Sequence, residues 1–93
     1  MAFALLLTED AQQTFDALEG RHHRRVESCL AKLGQNPRHA GLNSHRYQQF
    51  DKLHGQPVWE SYVENHNPSA WRVWWAYGPG QNEITVLMIG PHP

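Results

Sequence analysis

The sequence predicts an α+β fold in the order β-α-α-β-β-β, an antiparallel-meander sheet with a helical hairpin packed on one face. Three observations lead there. Residues 2–7 are an apolar run without a turn residue. Residues 9–33 carry apolar side chains at helical spacing in two blocks with almost no loop between them. From residue 58 the hydrophobic period changes to two, in three runs separated by short turn sequences.

Each element has a local reason. Residues 2–7 read as a buried strand. Thr8 then offers a capping hydroxyl, and Glu9 and Asp10 fall in the first helical turn, where the helix dipole favours acids. Ala11, Phe15 and Leu18 recur at i, i+4, i+7, and Gly20 is the expected terminus. A second helix is expected over 21–33, with Val26, Cys29 or Leu30, and Leu33 inward, ended by Gly34 and Asn36-Pro37. Arg21, Arg24 and Arg25 near its start oppose the dipole, so some other contact must favour them there. Residues 37–57 are expected as a long connector whose Leu42, Tyr47, Phe50 and Leu53 lie down on the core.

Residues 58–64 form the next strand, with Glu60, Tyr62 and Glu64 on one face and Trp59, Ser61 and Val63 on the other. Asn65-His66-Asn67-Pro68-Ser69 is a turn. In the strand Trp71–Tyr77, Arg72, Trp74 and Ala76 face one way, and Trp71, Val73, Trp75 and Tyr77 face the other. The aromatic-rich side is the natural core, so Arg72 is expected to point out of an open sheet face. Gly78-Pro79-Gly80-Gln81-Asn82 turns the chain into a last strand, Ile84 to Ile89.

Composition narrows the function. At 93 residues the chain is one domain, 1–93, burying roughly 60–65% of its unfolded surface. A net charge of −1 argues against a strongly basic nucleic-acid binder, but the charge is uneven. Residues 1–19 carry −4, residues 20–54 carry +5 with five of the seven His, and residues 55–93 carry −2. A near-neutral chain can therefore present a basic face. The single Cys29 excludes an internal disulfide and fits a reducing, cytoplasmic setting. The N-terminal apolar run is too short to span a membrane and lacks the positive flank of a signal peptide, so no membrane partner is expected. No His pair has metal-ligand spacing, and no metal or other cofactor is expected.

Asn36-Pro37, Leu53-His54-Gly55, Trp71-Arg72-Val73-Trp74-Trp75 and Val86-Leu87-Met88-Ile89-Gly90, in that order and spacing, resemble the RelE/ParE toxin superfamily across essentially the whole chain. The resemblance implies a toxin of a bacterial toxin–antitoxin module, neutralised by a small antitoxin protein. RelE-like members cleave mRNA on the ribosome without a metal; ParE-like members inhibit DNA gyrase. The resemblance places Arg72 at the scissile phosphate and His92 as general acid. The lysines of RelE are replaced by Glu60 and Tyr62, and the base is then Glu60 or Asp51.

The same residues make chemical sense by themselves. Metal-free RNA cleavage needs a base for the 2′-OH, an acid for the departing 5′-oxygen and a cation at the phosphate. Glu60, His92 and Arg72 supply that set, and a His titrates in the useful range. Tyr62 and Trp74, where exposed, can stack on bases, and Arg46, Lys52 and His54 are the expected RNA contacts. Plainer readings stand beside these: Arg72 as a strand residue paired with Glu60, Arg21-His22-His23-Arg24-Arg25 as a solvated helix face, Trp59 and Trp75 as core. The favoured expectation is an mRNA endoribonuclease; the alternatives are a gyrase inhibitor and an antitoxin-binding module without catalysis.

Overall fold

A computed structural model describes residues 2–64 and 69–93; the turn expected at 65–69 lies, but for Ser69, outside the described residues. The elements are β1 (Ala4–Leu7), α1 (Glu9–Ala17), α2 (Gly20–Gln35), β2 (His45–Arg46), α3 (Asp51–His54), β3 (Trp59–Tyr62), β4 (Trp71–Tyr77) and β5 (Glu83–Pro91). They form one five-stranded sheet in the order β1-β5-β4-β3-β2. β1 runs parallel to β5, and every other pairing is antiparallel. The expected order is present, with two additions. The connector 37–57 contains two 3-10 turns, the short helix α3 and a two-residue strand, β2, that extends the sheet by one position.

Thr8 caps α1 as its sequence position predicts: its Oγ1 accepts from Ala11 N at 3.1 Å. The same hydroxyl donates to Leu87 O at 2.9 Å. Leu87 is the extra residue in β5 where the pairing with β4 shifts between Trp74 and Trp75, so the cap ties the helix to a β-bulge. Gly20 ends no helix. At φ +59° it makes the left-handed turn that opens α2, after α1 has stopped at Ala17. The misplaced basic start of α2 has its contacts elsewhere. Arg25 Nη1 donates to Glu64 Oε2 at 2.9 Å, the ring of His22 lies 5.1 Å from that of Trp71, and His23 stacks on Phe15 at 4.8 Å.

The sheet has an apolar cluster on each face. On the helix side Ala11, Val26, Leu33, Val73, Trp75, Ile84 and Val86 are all fully buried, each large aliphatic worth about 1.5–3 kcal/mol over its exposed state. On the other side Tyr47, Val58, Trp74, Ala76 and Leu87 form a second cluster, with Phe50 and Met88 against it. The alternation assigned to β4 is therefore correct, but the face expected to be open is partly roofed. The segment from Tyr47 to Val58 lies across it. No helix among the described residues is long and apolar enough to cross a membrane.

Candidate active site

Beneath that roof the register of three strands sets a polar centre. β2 pairs His45 with Glu60, and β3 pairs Glu60 with Trp74 and Tyr62 with Arg72. Directly paired residues project from the same face with Cβ atoms about 5 Å apart. His45, Glu60 and Trp74 thus stand abreast, and Arg72 stands two residues along on the same side. Past the end of β5, His92 lays its ring 5.7 Å from that of Tyr47 and reaches the same carboxylate.

Glu60 is the hub, and it is only 2% exposed. Burying a carboxylate costs several kcal/mol unless charge and hydrogen bonds compensate. Here both oxygens are served from two sides. Oε1 has His45 Nε2 at 3.1 Å and Arg72 Nε at 3.6 Å. Oε2 accepts from Trp74 Nε1 at 3.0 Å and has His92 Nε2 at 3.4 Å.

Both imidazoles are held at their second nitrogen as well: His45 Nδ1 is 2.8 Å from Asn43 O, and His92 Nδ1 is 2.9 Å from Pro93 O. Carbonyl and carboxylate oxygens only accept, so each ring satisfies both contacts when it is doubly protonated and loses one when neutral. The His side chains are 47% and 33% exposed, so they form the accessible rim around the buried carboxylate. Tyr47 borders it from the roof, its phenol pushed above the usual 10.0 first by burial and then by the charge of Glu60.

Arg72 corrects the expectation of an outward side chain. It is 7% exposed, its guanidinium lies 3.8 Å from the ring centroid of Tyr62, and Nη1 donates to Glu64 O at 2.6 Å and Trp71 O at 3.1 Å. The roof over the sheet explains this: an arginine is buried when a carboxylate, two carbonyls and an aromatic face are within reach. Trp74 is likewise core rather than an exposed platform, 2% exposed with the rings of Tyr47 and Phe50 against it. Tyr62 is half-buried, with Arg72 on its face and His45 at its edge.

The remaining sequence candidates sit apart from the centre. Asp51 Oδ1 accepts from Val58 N at 2.7 Å and its Oδ2 pairs with Arg46, so it pins the connector; the carboxylate that meets His92 and Arg72 is that of Glu60. Arg46 also donates from Nε to Val58 O, Lys52 is exposed on α3, and His54 packs edge-on to Phe50 with Nε2 buried and unpartnered. Two residues of the centre were not assigned to the site from the sequence: His45 was not singled out, and Tyr47 was expected only as a residue lying on the core, where it does lie. Their only signal is a His and a Tyr two apart in a basic connector, which gives no strand register. Among the described residues no group of three or more His, Cys, Asp or Glu side chains is disposed to hold a metal ion.

The arrangement offers a carboxylate base, that of Glu60, with two imidazoles able to carry a proton and a guanidinium within 3.6 Å of it. That is the inventory for acid–base chemistry at a phosphate ester. No protein-family model matches the sequence, and no curated protein matches it significantly. Solved structures do match the fold. A chain of the archaeal RelE-RelB complex from Pyrococcus horikoshii OT3 superposes with a TM-score of 0.69 at 14% identity, over 98% of this chain and 96% of that one. The intact E. coli RelBE toxin-antitoxin complex gives 0.63 at 16% identity, over 99% of both chains. A mutant E. coli toxin RelE in the free state gives 0.61 at 18% identity, over 97% of this chain and 83% of that one. The chain has the fold of these toxins.

Proposed function

We propose that this chain, sharing the fold of RelE toxins, is the toxin of a toxin–antitoxin pair in the RelE/ParE superfamily. In this reading it is a metal-independent endoribonuclease that cuts mRNA on the ribosome and so represses translation in the cytoplasm, and a small antitoxin protein neutralises it. The observation that carries the reading is the buried Glu60 shared by Arg72, His45 and His92. A carboxylate beside one guanidinium and two imidazoles matches the groups that phosphate-ester cleavage needs: a base, a proton donor and a cation.

The chemistry follows from the positions. Glu60 takes the proton of the 2′-OH as that oxygen bonds to phosphorus. The bond from phosphorus to the 5′-oxygen breaks, and His92, protonated, returns a proton to that oxygen. The products are a 2′,3′-cyclic phosphate and a 5′-hydroxyl. Arg72, freed of part of its pairing as Glu60 is neutralised, balances the charge on the phosphorane. Access to Glu60 comes from the side where the partly exposed His45 and His92 side chains border it.

Inducible expression with mapping of mRNA 5′-ends tests this. The native chain should arrest growth and produce new 5′-hydroxyl ends in translated messages. His92→Gln, at a partly exposed residue, should lose both and keep the unfolding midpoint. Full toxicity in that variant would remove His92 from the reaction. A second reading has one observation in its favour: Arg72 is buried and bonded to backbone carbonyls, as in a purely structural centre. Under it the chain binds its antitoxin without catalysis or inhibits DNA gyrase, messages stay whole, and a supercoiling assay separates those two.

A further inference from the structure

The face of β3 opposite Glu60 carries a second feature that the ribonuclease reading does not use. A cavity of about 490 Å³ opens between the aromatic end of the sheet and the start of the connector. One wall is Trp59 and Tyr77, with Trp75 behind them; the other includes Arg38, Asn43 and Ser44. Trp59 and Trp75 stack at 5.7 Å and 16°, and Tyr77 stands edge-on to both, at 6.0 and 5.0 Å. Ser44 and Ser61 share a hydrogen bond of 2.7 Å, and Trp75 Nε1 donates to Ser61 Oγ at 2.8 Å, so the wall is braced from behind.

Its chemistry is selective. Tyr77 is 44% exposed, large for an aromatic in a sheet. Arg38 is exposed, and among the described residues it forms no ion pair. No Asp or Glu lines the cavity. The volume falls in the range of small-ligand sites. A rigid aromatic wall, a side-chain amide that both donates and accepts, and an uncompensated cation match a flat heteroaromatic ring bearing an anion.

We propose that this cavity holds the base and phosphate of one nucleotide in a single-stranded RNA, the base against Trp59 and Tyr77 and the phosphate toward Arg38. The choice of an RNA strand rests on the ribonuclease reading and on placement. Trp59 and Glu60 are consecutive, on opposite faces of β3, and only the two-residue β2 lies outside them. At that thin edge Arg46 extends its guanidinium to within 5.8 Å of the Trp59 ring centroid. One strand can round this edge and engage both faces.

The test is Trp fluorescence titration with a short single-stranded 2′-O-methyl RNA, which cannot undergo 2′-OH attack. Saturable quenching is expected, with Arg38→Ala and Tyr77→Ala each raising Kd about fivefold or more, as loss of one stacked base or phosphate contact does. Tyr77→Phe should restore affinity, which separates ring contact from a folding defect. Absence of saturable quenching, equal binding of an abasic strand, or Kd values unmoved by Arg38→Ala would overturn the assignment. AMP binding as tightly as the oligonucleotide would overturn the strand and leave a free nucleotide as ligand. If messages stay uncut in cells while these binding results hold, the ribonuclease reading fails and the cavity assignment stands.

Discussion

Trp74 Nε1 lies 3.0 Å from Glu60 Oε2, a hydrogen bond between two side chains that are each 2% exposed and directly opposed on neighbouring strands. Among the described residues it is the shortest polar contact of the Glu60 carboxylate, and the donor is uncharged, so it persists whatever the protonation of the two histidines. Trp74→Phe keeps most of the ring and removes the donor. The expected cost is about 1–3 kcal/mol, the penalty for stripping a partner from a buried polar group. A urea denaturation series checks it; an unchanged midpoint would mean that the indole N–H contributes nothing net.

Arg72 and Glu60 should be strongly coupled. Removing one member of a buried ion pair costs about 3–5 kcal/mol, because the other charge is left uncompensated. Arg72→Met and Glu60→Gln should each destabilise, and the double variant should cost clearly less than the two together. A double-mutant cycle in denaturant measures this. Additive costs would show that the 3.6 Å separation carries no interaction.

Acid should loosen the centre through Glu64. Its carboxylate accepts from Trp71 N at 3.1 Å, and its Oε2 accepts from Arg25 at 2.9 Å. The backbone bond foremost, opposed by burial and aided by Arg25, holds its carboxyl below the ordinary 4.5. A lowered value in the folded state means that the fold favours the ionised form. The contribution is therefore complete above the unfolded value and disappears as pH falls through the folded one. The native chain should lose stability as pH falls below the ordinary carboxylate value of 4.5, and Glu64→Gln should flatten that fall. Parallel pH profiles of the two would contradict the assignment.

Cys29 should be chemically silent in the native state. It is 3% exposed, and burial pushes its thiol up to about 12 against a small opposing effect of Lys32. The reactive thiolate is then scarce at neutral pH. A thiol reagent at about pH 8 should label the chain only as fast as it unfolds, and immediately in denaturant. Rapid stoichiometric labelling of folded protein would refute this.

Much of the fold was legible in particular residues. Thr8 as a cap, the two-residue period of Trp71–Tyr77 and the i, i+4 pattern of α1 are local signals, and the structure carries all three. Gly20 was legible as punctuation but not as the start of α2, because a glycine after a helical pattern is the usual C-terminal signal, whereas here Gly20, at φ +59°, opens the following helix. The connector hid the rest. His45 and Arg46 form a strand only because β3 offers them an edge, and Tyr47 and Phe50 roof the sheet only because Trp74 and Val58 lie beneath.

The sequence by itself determined the order of the main elements, the two faces of β4 and the presence of Glu60, Arg72 and His92 on one chain. Those follow from periodicity and capping, which act over a few residues. Only the tertiary structure decided that the three side chains meet, that His45 joins them, and that Arg72 and Trp74 are buried. Those facts depend on strand register and on a segment folded across the sheet, and neither is encoded by neighbours in sequence.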